Sequence, residues 1–321
     1  MHHTKKNTIK VGSDFSGVGA FNVALKRLNI DFEELFACDM DKYARQTFIH
    51  NHGQPNYYPA DVYEREIPDQ SLDVYMTSPP CQAFSLAGRR LGKEDKRGIL
   101  FFNSLEFIEV NKPRFFIFEN VKGLLSDNGG RTFSEWVNLL GGKSINGLPV
   151  IFSYEDSVPY HLYYKVLNAR DYGVPQNRER IFLIGIRDDT DNVFSFPREQ
   201  PLSKVLKDVI DADVDDKYLL SDTLKQWIVK HRQKRQFANK YPSDVNQPSP
   251  CITSHYGKMG AEDPYVFDTK GIRKLTPREC FRIMDFPETF SWNVSNSQAY
   301  KQAGNSIVVS VLCRLIEKFK L

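Results

Sequence analysis

The sequence has few cysteines and no long apolar run. Its five cysteines lie far apart and form no Cys-x-x-Cys pair: Cys38, Cys81, Cys251, Cys280 and Cys313. This spacing argues against a disulfide framework and against a zinc site, so we expect no metal. No apolar stretch approaches the roughly 20 residues that span a bilayer, and the first residues lack the apolar core of a signal peptide. We therefore expect a cytoplasmic protein with no membrane partner.

An excess of one charge sign is also missing. The 43 Lys and Arg residues against 40 Asp and Glu residues give a formal charge of only +3. The total therefore does not require a polyanionic partner, and any basic surface must be local. The length of 321 residues, 41% of them apolar, suits one large α/β unit or a large domain with a small one.

Short apolar runs alternate with helical periods through the N-terminal half. Strands are predicted at 9–13, 35–38, 74–76, 115–118, 163–167 and 180–186, and helices at 20–28, 43–50, 101–110, 132–140 and 306–319. This order predicts an α/β fold, a mostly parallel sheet with helices on both faces. Polar, Pro-containing sequence replaces the alternation from about 190 to 290, which favours an inserted second domain. We predict domains at 1–190 plus 290–321 and at 191–289.

Two glycines follow the first predicted strand in "D-F-S-G-V-G-A-F". Gly17 and Gly19 would let the backbone approach a ligand at a helix N-terminus. The third glycine of the dinucleotide fingerprint is absent, so a structural turn is the alternative. Asp39 and Asp61 end the next two units, where a carboxylate can accept ribose hydroxyls. Three such positions at successive strand ends favour an adenosine site, although each carboxylate alone also fits a solvated turn.

The stretch "S-P-P-C-Q-A-F-S" presents one thiol from a stiff bend. Pro79 and Pro80 fix their φ angles, so Cys81 is held at the end of a buried strand, as a positioned nucleophile would be. The loop that follows is basic and rich in glycine, and its cations are Arg89, Arg90, Lys93, Lys96 and Arg97. We interpret this loop as a flap over the site; a solvated surface loop is the alternative.

Two further groups of polar residues adjoin predicted strands. Glu119 follows four residues of a phenylalanine-rich strand, so its carboxyl should be partly desolvated and ready to donate a proton. In "Q-N-R-E-R", alternation points Arg178 and Arg180 to the same side. Two guanidinium groups there suit a phosphate, or a carboxylate and a carbonyl in a site. A salt-bridge ladder on an edge strand is the alternative.

The order of six blocks resembles the 5-methylcytosine-forming DNA methyltransferases, particularly the bacterial enzymes of restriction-modification systems. The blocks are "D-F-S-G-V-G", "P-P-C-Q", "E-N-V", "Q-N-R-E-R", "R-K-L-T-P-R-E-C" and "Q-A-G-N-S-I". The resemblance covers nearly the whole chain. It implies the Rossmann-like sheet of S-adenosylmethionine-dependent methyltransferases, with a target-recognition domain inserted between the fourth and fifth blocks. The region at 191–289 falls at that place.

The resemblance also implies roles for individual residues. Cys81 would attack carbon 6 of cytosine, and Glu119 would hold ring nitrogen 3 and the exocyclic amine. Arg180 would contact the base oxygen and brace the site, and Arg178 is predicted to be a catalytic residue with them. S-adenosyl-L-methionine would be converted to S-adenosyl-L-homocysteine. The residues implied to surround it are Phe15, Ser16, Gly17, Gly19, Asp39, Met40, Asp61, Val62, Pro79, Leu100, Asn305 and Ser306.

A cytosine within a duplex must be flipped out to reach such a site. Several relatives fill the gap with a serine, where this chain has Ala87. The cation-rich run at 225–240 is predicted to be a helix capped by Ser221, with Leu224, Trp227 and Ile228 facing inward. Its outer face is either a phosphate-contacting surface or an ordinary solvated helix. The predicted DNA-binding residues are Gln82, Ser85, Arg89, Arg90, Arg97, Arg232, Gln233, Lys234, Arg235 and Gln236.

The leading hypothesis is a monomeric cytosine-5 methyltransferase that acts on double-stranded DNA. In a bacterium it would be nucleoid-associated, in a restriction-modification system with a cognate restriction endonuclease, or in a phage or orphan system. Three alternatives stay open. The RNA-methylating branch acts on transfer RNA, but in place of its Cys-Phe-Thr element this chain has only "P-C-I-T" at 250–253 and "E-C-F-R" at 279–282. A catalytically silent DNA-binding relative is the second, and a nicotinamide dehydrogenase, suggested by the glycine turn alone, is the third.

Overall fold

A central mixed sheet forms the body of the protein. The computed structural model describes residues 8–80, 100–190, 193–236 and 239–321. Its sheet strands are β1 (Ile9–Asp14), β2 (Phe32–Cys38), β3 (Val74–Thr77), β4 (Phe115–Val121), β5 (Ser144–Ile145), β6 (Leu148–Pro149), β7 (Tyr160–Asn168) and β8 (Glu179–Arg187). Within the described residues their order is β2-β1-β3-β4-β8-β7-β5-β6.

The predicted α/β sheet is confirmed, with one difference in strand direction. Strands β2, β1, β3 and β4 are mutually parallel, whereas β8 runs antiparallel to both of its neighbours, β4 and β7. The short segment between β7 and β8 accounts for this, because a parallel connection needs a crossover of about a dozen residues or more. The sheet remains parallel on the side that carries the predicted site.

Helices cover both faces of the sheet. They are α1 (Ala20–Arg27), α2 (Lys42–His52), α3 (Leu100–Asn111), α4 (Arg131–Leu140), α5 (Asp222–Arg235), α6 (Pro277–Ile283), α7 (Asn296–Asn305) and α8 (Val309–Ile316). Along β4, Phe115 and Ile117 belong to the core cluster shared with α1 and α8, while Phe116 and Phe118 belong to the cluster shared with α3 and α4. This alternation explains the continuous apolar run, because a strand covered on both faces has no polar side.

The last helix begins later than its amphipathic pattern predicts. Ser306 is extended, with ψ at 161°, and its N–H bonds to the carbonyls of Gln302 and Ala303, so it ends α7. Helix α8 then starts at Val309 rather than at residue 306. The helix predicted at 306–319 is therefore shorter, at Val309–Ile316, and Ser306 separates it from α7.

The region between β8 and α6 has little regular structure. Helix α5 and the hairpin of β9 (Tyr265–Asp268) and β10 (Gly271–Lys274) contribute to a small apolar cluster of Leu220, Ile228 and Tyr265. Ser221 caps α5 as predicted, since its side chain accepts from the N–H of Leu224 at 3.3 Å. The prediction that Trp227 faces inward is wrong, because the residue is 42% exposed and its ring lies against the His231 ring on the same helix.

The stretch at 141–161 contains the hairpin of β5 and β6, which extends one edge of the sheet through β7. Cys38, Cys280 and Cys313 are buried and Cys251 is partly exposed, and all four are free thiols. None of the described helices is long and apolar enough to cross a membrane.

Candidate active site

The predicted site lies where parallel strands end side by side. Asp14 on β1 pairs with Thr77 on β3, and Thr77 pairs with Phe118 on β4, so Glu119 is the next residue along that edge. The side-chain amide of Asn120 donates to the carbonyl of Pro79 at 3.0 Å, and this bond is buried. The bend that leads from β3 toward Cys81 is therefore fixed to the end of β4, beside Glu119.

Cys81 itself lies outside the described residues. The same holds for the predicted DNA-binding residues of the flap: Gln82, Ser85, Arg89, Arg90 and Arg97. Their roles therefore stay predictions. The described residues include the segment that leads to Cys81, which Asn120 holds at Pro79, and the neighbouring carboxyl of Glu119.

The carboxyl of Glu119 is buried and faces a guanidinium group. Only 8% of Glu119 is exposed, and the Nε of Arg180 lies 3.2 Å from its Oε1. Burial raises the pKa of Glu119 above its ordinary value, while Arg180 and Arg178 act in the opposite direction. Burial therefore favours the protonated form of this carboxyl more than solvent would. This is the electrostatic setting that the phenylalanine-rich strand predicts.

Arg178 has a different environment from Arg180. It is 3% exposed, and it donates to the carbonyls of Ile252 at 2.8 Å, Gly304 at 2.9 Å and Ser306 at 2.8 Å. These bonds join the start of β8 to the segment around residue 252 and to the end of α7. Arg178 therefore holds three backbone carbonyls, whereas Arg180 contacts Glu119; the contact of Arg180 with a base oxygen stays a prediction.

The C-terminal block packs tightly against the segment around residue 253. A Cβ built on Gly304 would lie 2.1 Å from the carbonyl oxygen of Thr253, so no larger residue fits there. Gln176 is fully buried and bonds the N–H of Ile252 at 3.0 Å and the carbonyl of Ile283 at 3.2 Å. The "Q-N-R" and "Q-A-G-N-S" blocks therefore meet at one junction behind the site.

The glycine turn is held by the carboxylate that follows β2. Phe15, Gly17 and Gly19 all have positive φ, at 56°, 57° and 83°. The two oxygens of Asp39 accept the N–H of Gly17 at 2.7 Å and the N–H of Asp41 at 2.8 Å. Burial raises the pKa of Asp39 and these backbone bonds lower it. Each oxygen keeps a second lone pair, so the predicted bonds to a ribose remain available.

The other predicted cofactor residues differ in exposure. Met40 is 85% exposed although it follows directly after Asp39, and Asp61 is also exposed. The Oγ of Ser16 lies 3.3 Å from the hydroxyl of Tyr58. Of the remaining members, Val62, Pro79 and Ser306 are buried, Leu100 is partly buried and Asn305 is exposed. An exposed methionine next to a polar turn offers an apolar surface for a flat ring.

Sequence reasoning missed a buried ion pair beneath the glycine turn. The carboxylate of Asp14 lies 3.1 Å from the Nε of Arg65 and accepts the hydroxyl of Tyr75 at 2.6 Å. The Arg65 guanidinium also lies 4.6 Å from the ring centre of Phe107. Asp14 opens the "D-F-S-G" block, but its partner is 51 positions away in a polar stretch, and no local pattern indicates the pairing.

The predicted DNA-binding residues on α5 divide into two groups. Gln233, Lys234, Arg235 and Gln236 are exposed. Arg232 is partly buried: it donates to the carbonyl of Ala261 at 2.6 Å and to the carbonyl of Asn239. It therefore braces α5 against the following loop, and its prediction as a phosphate contact is the least supported of the five.

An open groove leads from the site across the end of β8. Its lining includes the cations Lys122, Arg170 and Arg180, together with Glu179 and Cys251. Lys122 is paired with Glu179 at 3.0 Å. Among the described residues, no group of three or more His, Cys, Asp or Glu side chains is placed to hold a metal ion.

The sheet, the glycine turn and the buried Glu119–Arg180 pair define the class of S-adenosylmethionine-dependent methyltransferases. Comparison with known proteins makes the assignment specific. The family model of the C-5 cytosine-specific DNA methylases matches residues 9–321, and the chain belongs to that family.

Two curated relatives of similar length are named type II methyltransferases. The type II methyltransferase M.Bsp6I of Bacillus sp. (strain RFL6) is 34% identical over 325 residues, which cover 96% of this chain and 98% of the relative. The type II methyltransferase M.HhaI of Haemophilus parahaemolyticus is 32% identical, with 93% and 90% covered. With the family match, these relatives establish the chain as a DNA cytosine-5 methyltransferase, as the six blocks predicted.

Solved structures confirm the fold. The Dnmt2 methyltransferase of S. pombe superposes with a TM-score of 0.72 at 20% identity, with 97% of each chain covered. A putative DNA modification methyltransferase from an E. coli prophage gives a TM-score of 0.66 at 21% identity, with 97% of this chain and 98% of that chain covered. At these identities the likeness concerns the architecture alone.

Proposed function

We propose that the chain methylates carbon 5 of a cytosine flipped out of duplex DNA, through covalent catalysis by Cys81 with Glu119 as the proton donor. The observation that carries this proposal is the buried Glu119 carboxyl, paired with Arg180 and fixed beside the Pro79 bend. A bend that ends in a thiol and a neighbouring protonatable carboxyl are the two groups that addition to a pyrimidine ring requires.

The proposed reaction passes through a covalent bond between Cys81 and carbon 6 of the cytosine. The Cys81 thiolate adds to carbon 6, and the displaced electron pair is accommodated at ring nitrogen 3 by the proton of Glu119. Carbon 5, now nucleophilic, takes the methyl group. Solvent water then takes the proton from carbon 5, the double bond between carbons 5 and 6 forms again as the Cys81 thiolate leaves, and the proton on nitrogen 3 returns to Glu119. Arg180 keeps the Glu119 carboxyl in place and reaches the base oxygen.

S-adenosylmethionine supplies the methyl group, and the residues around the glycine turn fit it. Positive φ angles at Gly17 and Gly19 open the backbone toward a ligand. The exposed side chain of Met40 offers an apolar surface to adenine, and Asp61 offers a carboxylate to the adenosine. We expect the turn and these two side chains to bind the adenosine portion.

The DNA surface has two parts in this proposal. The groove lined by Lys122, Arg170 and Arg180 would follow the backbone near the flipped base. The region at 191–289 would act as the target-recognition domain, with Lys234 and Arg235 exposed on α5 toward phosphates. The type II names of the relatives support a restriction-modification role. We propose that the protein acts as a monomer and that a cognate restriction endonuclease is its partner.

A methyl-transfer assay tests the proposal. Purified protein is incubated with S-adenosylmethionine labelled in the methyl group and with either duplex DNA free of 5-methylcytosine or transfer RNA. Digestion to nucleosides should place the label in 5-methyldeoxycytidine. Label in RNA alone would establish the RNA-methylating alternative. DNA binding without any transfer would establish the silent relative.

A further inference from the structure

His52, the last residue of α2, lies directly beneath the glycine turn. Its Nε2 is 3.2 Å from the carbonyl oxygen of Val18, the residue between the two glycines. A Cβ built on Gly19 would lie 2.4 Å from the same Nε2. The imidazole therefore occupies the space that any side chain at position 19 would need, and it bonds the backbone of the turn.

The partners of His52 fix its protonation state. A carbonyl oxygen only accepts, so Nε2 must carry the proton that it donates to Val18. The ammonium of Lys26 only donates, and it lies 3.1 Å from Nδ1, so Nδ1 must be unprotonated. Burial is the main cause that lowers the pKa of His52 to about 4, and Lys26 adds to it. The ring is neutral and held in one tautomer.

The segment from the end of β2 to the end of α2 therefore bonds the backbone of the glycine turn at two points. Before the helix, Asp39 accepts the N–H of Gly17 at 2.7 Å. At the end of the helix, His52 donates to Val18, and its ring packs edge-on against Phe48 with 4.9 Å between ring centres. One contact holds an amide of the turn and the other holds a carbonyl, so together they limit rotation of the peptide units between them.

We propose that His52 is a positioning residue for S-adenosylmethionine: its hydrogen bond to Val18 holds the Gly17–Gly19 turn in the conformation that binds the cofactor. The proposal rests on the placement of the cofactor at this turn. His52 does not touch the reacting atoms. Its loss should weaken cofactor binding and leave the chemical step and DNA binding unaffected.

The test compares two substitutions at one position. His52→Phe keeps an aromatic ring against Phe48 but removes the donor, whereas His52→Gln keeps a donor near the position of Nε2. We expect His52→Phe to raise the Kd of S-adenosylmethionine and S-adenosylhomocysteine by about tenfold in calorimetry, the effect of removing one hydrogen bond. The KM for S-adenosylmethionine should rise in parallel, with kcat at saturation within about twofold. His52→Gln should recover binding to within about threefold.

A matched control comes from the same helix. His50 is exposed and bonds the hydroxyl of Ser291 at 2.9 Å, away from the turn, so His50→Phe should leave the Kd unchanged. Wild-type cofactor binding by a folded His52→Phe variant would overturn the proposal, and so would an equal loss in His52→Gln. If His52→Phe does not fold, His52→Gln and Lys26→Met are compared instead. Lys26→Met should loosen binding by about threefold through the freed imidazole, and unchanged binding would overturn the proposal.

Asp61→Ala separates this inference from the cofactor site on which it rests. If Asp61→Ala weakens binding of S-adenosylmethionine and His52→Phe does not, only the role of His52 is wrong. If neither variant changes the Kd, the cofactor does not bind at this turn, and the placement itself is wrong.

Discussion

At the scale of single residues, position along a strand determines what each polar group can do. The environment of Glu119 is made by its neighbours, because the apolar strand that precedes it leaves only 8% of the residue exposed. Arg178 and Arg180 alternate along the chain as the sequence indicates, yet one holds backbone carbonyls and the other faces Glu119. The sequence predicts that both arginines lie near the site, but only their partners assign the two roles.

Substitution of Glu119 by glutamine should slow the chemical step selectively. Glu119→Gln keeps the shape and a hydrogen bond to the base but cannot supply a proton as readily, so the single-turnover rate should fall by about 10²-fold or more. DNA affinity should change by no more than about threefold. The control is Glu179→Gln, an exposed carboxylate in the adjoining groove. A wild-type rate in Glu119→Gln would mean that another group protonates the ring.

The two arginines should fail in different ways. Lysine at position 178 cannot reach three carbonyls at once, so Arg178→Lys should lower the free energy of unfolding by roughly 2–4 kcal/mol. Arg180→Lys, at a partly exposed site, should cost less than about 1 kcal/mol and reduce kcat by about tenfold or more. Urea unfolding and single-turnover kinetics separate the effects. The roles would be reversed if Arg178→Lys lowered kcat without loss of stability.

At the scale of elements, apolar runs predict the strands that are buried on both faces. The runs at 74–76 and 115–118 lie within β3 and β4 for that reason. The two-residue strands β5 and β6 carry no such run, and their pairing with each other and with β7 makes them. Strand β9 does contain a short apolar run, at 265–267, which is not among the strands predicted from the sequence. The pair of Asp14 and Arg65 and the contact of His52 with Val18 also depend on chain segments brought together by the fold. Local periodicity contains no information on these contacts.

The edge strand β2 carries a carboxyl that should make stability depend on pH. Burial raises the pKa of Glu34 from its ordinary value of 4.5 to about 7, although Asn22 donates to it at 3.0 Å. The native state therefore binds a proton that the unfolded state releases between these values, and stability falls as the pH rises through this window. Glu34→Gln removes the effect.

This variant gives a signed prediction. Relative to the wild type, Glu34→Gln should be stabilised by up to roughly 3 kcal/mol at pH 7, and the gain should disappear as the pH falls to about 4.5. Urea unfolding between these pH values measures it. Glu33→Gln, at the exposed neighbouring position, is the control and should show no such trend. A constant difference across the range would mean that Glu34 titrates normally in the native state.

At the scale of the whole molecule, the charge is nearly balanced and DNA binding must depend on local cations. Lys234 and Arg235 are exposed, whereas Arg232 donates to the carbonyls of Ala261 and Asn239. Lys234→Ala with Arg235→Ala should therefore lower the slope of log affinity against log salt by about 0.9 for each DNA phosphate that the variant no longer neutralises. Binding should weaken on all sequences alike. Arg232→Ala should instead lower stability, and an unchanged salt slope in the double variant would place the phosphate-binding cations elsewhere.

The central claim is that this chain forms 5-methylcytosine in duplex DNA through Cys81 and Glu119. Bisulfite sequencing of DNA from cells that express the wild type, Cys81→Ser or Glu119→Gln tests it most directly. One readout reports the activity, the modified base and the sequence context. With the wild type we expect cytosines protected from deamination in one short recurring sequence. We expect none with Cys81→Ser and few with Glu119→Gln at equal expression. Protection that persists in Cys81→Ser, or no protection by a folded wild type that binds S-adenosylmethionine and DNA, would contradict it.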